Sequence, residues 1–289
     1  MEPTRPTPNP RTYPDCYRHP GVEMAVRCHH CSQPICVDCM IDAPVGFQCP
    51  ACVRAGARTS PTVTGRSLRR GMAATAPVTF ALIVLNAVVF VLGLVPTLGD
   101  AILQAGAVQP FVTSAGGEFW RLASSMFIHG GALHLLFNMY ALWILGPQAE
   151  MRFGSRWFVA LYMMSGLLGS ALFVALAPAT TAAVGASGAI FGLFGVMLAL
   201  ALARRHTEAG RAMFRNLGVL VLLNMVITFS IPGIAWQAHV GGFVFGMAAG
   251  WLYDHVETPS VRWATLGAGA VVCIALVMWR AAQFPVFFG

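Results

Sequence analysis

Ser187 lies in the run Gly185-Ala186-Ser187-Gly188-Ala189-Ile190-Phe191-Gly192 at the mouth of a long apolar segment, and His239 lies just inside the mouth of another. A hydroxyl that can act as nucleophile and an imidazole that can act as base are costly in lipid, so their presence in such segments points to function. Glycine and alanine around the serine leave little side-chain bulk, which gives a substrate backbone room to approach. Together these groups suggest proteolysis inside a membrane.

A second set of reactive side chains crowds the N-terminal region. Cys16-x-x-His19, Cys28-x-x-Cys31, Cys36-x-x-Cys39 and Cys49-x-x-Cys52 form four pairs of metal-ligating residues. Eight soft or borderline ligands in pairs are enough for two tetrahedral zinc ions. Disulfides are the other use of paired cysteines, but one paired position is histidine, and the charge distribution below puts this segment in a reducing cytoplasm. Spacing allows either sequential or interleaved pairing. His29 and His30 adjoin Cys28 and could substitute as ligands, although exposed positions are expected for them. No open coordination position is implied, so the zinc is structural, catalysis needs no cofactor, and the segment has too little core to fold without its metal. Cys273 stands apart in the last apolar segment and is expected to be inert.

Most of the chain consists of elements that must position these groups. With 57% hydrophobic and 10% charged residues it is too apolar for a soluble domain of this length, and the polar, proline- and cysteine-rich part ends near Arg69-Arg70. Seven segments approach the roughly 20 apolar residues a span needs: Ala73 to Val95, Ser125 to Gly146, Trp157 to Ala177, the short Ser187 to Ala203, Phe214 to Ile231, Ala235 to Tyr253 and Trp263 to Phe284. None shows the alternating polarity of a barrel strand, so all are read as helices. All 18 basic residues are arginine. With the N-terminus in the cytoplasm, Arg66, Arg69, Arg70, Arg152, Arg156, Arg204, Arg205, Arg211, Arg215 and Arg262 fall on cytoplasmic flanks, and only Arg121 and Arg280 fall outside. The net charge of +7 therefore reads as topology and attraction to anionic lipid more than as nucleic-acid binding. No cleavable signal peptide is expected, because the first 70 residues hold no apolar core of the required length.

This topology brings the mouths of the second, fourth and sixth segments to one face, with His129, His134 and Asn138 on the second, Ser187 on the fourth and His239 on the sixth. A lone serine in a membrane helix more often bonds back to a carbonyl, and a lone buried histidine more often packs. Convergence of Ser187, His239, His134 and Asn138 at one depth outweighs both readings. The chain resembles the rhomboid family of intramembrane serine proteases in Trp120-Arg121, His134-x-x-x-Asn138, Gly185-Ala-Ser187-Gly and Ala238-His239-x-x-Gly242-x-x-x-Gly246, which occur in the family's order. That resemblance covers roughly residues 73 to 255. It implies that Ser187 attacks the scissile carbonyl, that His239 serves as general base and then general acid, and that His134, Asn138 and the backbone N–H of Ser187 form the oxyanion hole. It also implies that Trp120-Arg121 fixes the first external loop in the outer leaflet. No acidic residue in the spans can act as a third member, so a dyad is expected. Where some rhomboids carry a tyrosine, this chain has Phe191, which can stack on the imidazole without offering a hydroxyl.

Gly242 and Gly246 have the small-xxx-small spacing that lets helix backbones approach, repeated by Gly188 and Gly192 on the serine helix. Asn86 and Asn224 are read as packing residues, Met163, Met164, Met197 and Met247 as lipid-facing or core residues, His129 as a water-channel, gating or interfacial group, and Glu118 with Arg121 as a weak surface pair.

The expected architecture is an all-α polytopic membrane protein. A proline- and threonine-rich disordered tail (1–15) precedes a cytoplasmic double-zinc module (16–54), a flexible basic linker (55–72), a six-helix rhomboid-like core (73–255) and a seventh transmembrane helix with the C-terminus (256–289). The expected function is an intramembrane serine endopeptidase acting on single-span membrane proteins whose helix is locally unstable near the outer face. A non-catalytic protein that binds transmembrane helices for quality control is the alternative, and a transporter ranks last because the spans hold almost no acidic residues. The interleaved division of the metal ligands resembles the B-box and RING cross-brace, and a cytoplasmic protein is the expected partner of that module, with nucleic acid unlikely. The lack of lysine with abundant alanine, glycine and arginine suggests a GC-rich bacterial genome and hence a plasma membrane.

Overall fold

The computed structural model of the protein describes residues 13–43, 46–59, 71, 73–256 and 258–284, and the chain divides into two compact units, Met1–Ser67 and Leu68–Gly289. Most of the tail expected over residues 1–15, and residues 60–70 and 72 of the expected linker, lie outside the described residues.

The N-terminal unit is built from very short elements. β1 (Asp15–Cys16) pairs antiparallel with β2 (His19–Glu23), β3 (Ile41–Asp42) pairs antiparallel with β4 (Phe47–Gln48), and α1 (Pro50–Thr59) follows. Ladders this short are marginal in water without further support. Among the described residues of this unit, Ile35 is the one fully buried aliphatic side chain, and the rest of its buried interior is Cys16, Cys28, Cys36, Cys39 and Cys49. The unit therefore needs a different source of cohesion from apolar burial.

The second unit is a helical bundle. Its main helices are α2 (Pro77–Leu92), α6 (Ala132–Phe153), α7 (Ser155–Leu176), α8 (Ser187–Ala203), α9 (Glu208–Ser230), α10 (Trp236–His255) and α11 (Pro259–Ala281). Between α2 and α6 lie three short helices, α3 (Pro96–Gly106), α4 (Pro110–Ser114) and α5 (Arg121–Ser124). All seven expected segments are helical. By length and composition α7, α9 and α11 can each cross a membrane, and the Arg121–Phe127 segment with α6 forms a fourth candidate bent by 94°. α2 and α8 are apolar but shorter.

α8 occupies the centre, packed against α6, α7, α9 and α10, with 13 of its 17 residues buried. A helix that is apolar and buried all round has protein neighbours instead of lipid around it, which is why a short one suffices here. α11 packs on α7, and α2 packs on α6.

Several helix ends differ from the sequence expectation. The second long helix starts at Ala132 instead of Ser125, because Ser125–Phe127 forms a 3-10 turn and the chain bends before α6 begins. α9 starts at Glu208, ahead of the apolar stretch: the Thr207 side chain accepts from the Gly210 N–H at 3.0 Å and caps a polar turn. The short helices α3, α4 and α5 are invisible to a search for spans.

One buried carboxylate ties two helices together. Glu150, near the C-terminal end of α6, is 2% exposed and accepts hydrogen bonds from the Val78 and Thr79 backbone N–H groups (3.0 and 2.8 Å), the Thr79 hydroxyl (2.8 Å) and the Ser155 hydroxyl (2.6 Å). The free N–H groups of the first turn of α2 thus meet a negative charge, which satisfies them and complements the helix dipole. At the same end of the bundle Arg152 and Arg204 both donate to Asp254 at 2.9 Å.

Candidate active site and metal sites

Four helices contribute to one cleft. α8 begins with Ser187, and α10 carries His239 one turn inside its start. His239 Nε2 and Ser187 Oγ are 2.8 Å apart, a hydrogen-bonding distance, with His239 8% exposed. Phe191, one turn beyond Ser187, lies flat on the imidazole, with ring centroids 4.1 Å apart and planes at 11°. The predicted stacking is thus present without a tyrosine hydroxyl. α6 adds His134 and the buried Asn138, and all four groups line a cavity of about 690 Å³ with Thr228 of α9.

Backbone contacts fix this arrangement. A Cβ at Gly242 would collide with the carbonyl of Gly188, and one at Gly246 with the carbonyl of Gly192. One at Gly169 of α7 would stand 2.5 Å from the Ala238 carbonyl, so the first turn of α10 is wedged between α7 and α8. Glycine at these positions lets helices approach to backbone contact, and this is what brings His239 up to Ser187.

The loop leading into α8 is held just as closely. Val108 and Ala183 exchange backbone hydrogen bonds at 3.1 and 2.9 Å, and the Gly185 N–H donates to the Ser125 carbonyl at 2.8 Å. Arg121 holds the backbone that leads into Val108. It is 8% exposed, pairs with Glu118 through Nε at 2.7 Å, and donates to the carbonyls of Gln104 (2.7 Å) and Ala107 (2.9 Å). The pair expected on a surface thus has a buried arginine and a half-buried glutamate, and Arg121 anchors backbone next to Val108. Trp120 donates its indole N–H to the Ala105 carbonyl at 3.0 Å while its ring stays exposed.

Gly185 has φ of +129°, and a Cβ there would stand 2.7 Å from the His134 ring. Glycine is required on both counts, by backbone conformation and by the packed imidazole. Asn138 donates one amide hydrogen to the His134 carbonyl at 2.8 Å, which leaves its second N–H. His129 is buried against His134, ring centroids 5.0 Å apart, and lines a separate cavity of about 480 Å³. Asn86 is fully buried as expected for packing, whereas Asn224 is half-buried and lines the cleft. Cys273 is buried, with its thiol 3.8 Å from the Leu167 carbonyl.

The rhomboid domain description matches residues 116–255. The chain is 37% identical over 135 residues to rhomboid protease GluP of Bacillus subtilis, covering 47% of this chain and 26% of that protein. It is 35% identical over 138 residues to the putative rhomboid protease YdcA of Bacillus subtilis (48% and 67%), and 30% identical over 200 residues to rhomboid-like protease 1 of Toxoplasma gondii (68% and 67%). The chain belongs to the rhomboid family. As a rhomboid with a bundle of apolar helices it is a multi-pass membrane protein. It spans about a quarter of GluP and 44% of RHOMBOID-like protein 5 of Arabidopsis thaliana, the first two curated relatives it matches.

This rhomboid carries a further feature that motif spacing did not reveal. Thr228 Oγ1 lies 2.8 Å from His239 Nδ1, on the side of the ring away from Ser187, and the threonine is 4% exposed. A signal for it did exist: α9 and α10 are joined by a short connection, so residues at similar distances from the turn face each other.

The N-terminal unit gathers the eight expected ligands into two groups. Cys16, His19, Cys36 and Cys39 form one, Cys28, Cys31, Cys49 and Cys52 the other, and within each the ligand atoms lie within 4.8 Å of one another. The pairs are thus interleaved, first with third and second with fourth. A tetrahedral ion with bonds of about 2.3 Å separates its sulfur ligands by about 3.8 Å. Here Cys31 and Cys49 sulfurs are 3.8 Å apart, and His19 Nδ1 is 3.7 and 3.6 Å from the sulfurs of Cys16 and Cys39 and 3.1 Å from that of Cys36. These residues fit a divalent ion. His29 and His30 are exposed, with His30 Nδ1 3.6 Å from the Cys52 sulfur.

The thiols are also electrostatically primed. Burial raises Cys16 and Cys28, but backbone N–H groups of Arg18 and Cys36 around the first, and of Cys31, Cys49 and His30 around the second, outweigh it and bring each down to about 6. Burial and the neighbouring Cys36 and Cys16 push Cys39 up to about 11, and hydrogen bonding with Cys49 and Cys31 pushes Cys52 up to about 12. Each cluster thus holds a ready thiolate beside a thiol that resists ionising until a cation offsets the crowding.

Proposed function

We propose that this protein is an intramembrane serine endopeptidase. The observation that carries the reading is the 2.8 Å approach of Ser187 Oγ to His239 Nε2 in a cleft shared with His134 and Asn138. Ser187 Oγ attacks the carbonyl carbon of the scissile peptide bond while its proton passes to His239 Nε2. The resulting oxyanion meets the second N–H of Asn138, the His134 ring and the first backbone N–H groups of α8, whose N-terminal dipole favours negative charge. Collapse breaks the C–N bond, and the leaving amine takes the proton from His239. Water then attacks the acyl-serine with His239 again as base, releasing the carboxylate and restoring Ser187.

Single-span membrane proteins are the proposed substrates, because a bond inside an intact helix is shielded and only a locally unstable helix can present one. Small residues at the cleavage point fit Gly185, Ala186 and Gly188 around Ser187. The arginine distribution supports a cytoplasmic N-terminus, and composition supports a bacterial plasma membrane. In the N-terminal unit the two ligand groups would each hold a structural zinc ion, which supplies folding energy and no catalytic chemistry. A cytoplasmic protein is the proposed partner of that unit.

The test is cleavage of a single-span substrate by purified protein in lipid. Ser187→Ala and His239→Ala variants of verified fold are expected to be inactive. Unchanged cleavage by either would overturn the mechanism, and a folded wild type that binds but never cuts a panel of single-span substrates would favour helix binding instead.

A further inference from the structure

For Nε2 of His239 to receive a proton from Ser187, the ring must carry its own proton on Nδ1. A neutral imidazole can place that proton on either nitrogen, and packing against Phe191 alone does not choose, since a stacked ring presents the same face in both tautomers. The Nδ1–H tautomer is held when the group that touches Nδ1 serves as its acceptor, a role a hydroxyl fills by turning its own hydrogen away. That group is the hydroxyl of Thr228, 2.8 Å away, buried with the imidazole and carried on a different helix, α9. Serine proteases of the soluble type use a carboxylate here. An ionised carboxylate beside a membrane-embedded cleft carries a large desolvation cost, whereas a neutral hydroxyl can accept the Nδ1–H at little cost and still hold the ring in register.

We propose that Thr228 is a positioning residue for the reaction, accepting the Nδ1–H of His239 so that Nε2 faces Ser187 as the base. The inference rests on the Ser187/His239 reading above. It extends the dyad to a Ser187–His239–Thr228 relay of contacts across α8, α10 and α9, in which only the first two exchange protons with substrate. It also makes the catalytic tautomer depend on α9 staying seated, because Thr228 is supplied by the last turns of that helix.

The experiment compares wild type, Thr228→Val, Thr228→Ser, Ser187→Ala and His239→Ala, as full chains in lipid, on one single-span reporter. Valine keeps the shape of threonine and deletes the hydroxyl. Thr228→Val is expected to lower kcat by about 10- to 100-fold with KM changed by less than about two-fold, because the lost hydrogen bond orients a base and binds no substrate. Thr228→Ser keeps an acceptor and is expected to recover most of the rate. Nitrogen NMR of labelled histidine is expected to show His239 protonated on Nδ1 in wild type and as a tautomer mixture in Thr228→Val. Wild-type kcat in Thr228→Val, while Ser187→Ala and His239→Ala are dead, overturns this proposal and leaves the dyad standing. Equal loss in the valine and serine variants also overturns it, since shape and not the hydroxyl would then matter. Full activity in Ser187→Ala or His239→Ala removes the parent reading. If Thr228→Val fails to assemble, Thr228→Ala, which adds no new contact, carries the same comparison.

Discussion

The two units of this chain solve the same problem of cohesion by opposite means. The described residues of the N-terminal unit form strands of two to five residues, with one fully buried aliphatic side chain and two quartets of candidate metal ligands. The helical unit has a continuous apolar core and glycines that bring α8 and α10 to backbone contact. In the first, cohesion is concentrated at two points, each a cluster that could hold an ion. In the second it is spread over many contacts, and no single side chain carries it. Each unit is vulnerable in its own way: one to chemistry that removes a ligand or a metal, the other to volume added where there is no room.

The largest expected effect is metal removal. A strong chelator should unfold the N-terminal unit, because each structural ion contributes about 10 kcal/mol or more to a fold of this kind, while the helical unit keeps its thermal midpoint. Metal analysis should count two ions per chain before treatment, and limited proteolysis after treatment should add new cuts within residues 16–54 and none in the helical unit. Acid should act in the same direction. Protons compete with the ion for the same sulfurs, and a bound ion holds Cys16 and Cys28 ionised below their metal-free value of about 6, so release should come only below that pH, and a colorimetric chelator should follow it.

Volume added at the α8–α10 contact comes next. Gly246→Leu should cost about 3 kcal/mol or more and abolish cleavage, because the new side chain meets the Gly192 backbone, which cannot move aside. Normal proteolysis by a folded variant would break the comparison. Glu150→Gln should be milder, about 2–4 kcal/mol in a thermal or denaturant melt, since the neutral amide turns one of its two acceptor atoms into a donor facing other donors. The smallest effect belongs to Gly218 on α9, where an added Cβ meets nothing within 4 Å. Gly218→Ala should be neutral or stabilising by about 0.5–1 kcal/mol, which would show that glycine matters here through contact and not through its type.

Much of this is legible in the sequence. Ser187, His239, His134 and Asn138 stand out because polar groups in apolar segments are expensive, and the eight candidate metal ligands stand out because they fall in four pairs of the same spacing. Arg121 and Glu118 were visible as a pair but not as an anchor, because the carbonyls of Gln104 and Ala107 that Arg121 grips sit on a loop whose short helices leave no span-length signal. Asn224 shows the reverse failure: alone in an apolar segment it resembled a packing residue, yet it faces the cleft.

The class of the molecule, the number and order of its long helices, the set of candidate metal ligands and the residue types available for chemistry are all legible along the chain. These follow from composition, from hydropathy over lengths of about 20 residues and from local spacing, all of which are properties of neighbours along the chain. Tertiary structure alone decided that the ligand pairs interleave, that Glu150 satisfies the start of α2, that Gly185 makes room for His134 and that Thr228 meets Nδ1 of His239. Each of those is a contact between groups that no periodicity relates, and only the packed chain brings them within hydrogen-bonding or van der Waals reach.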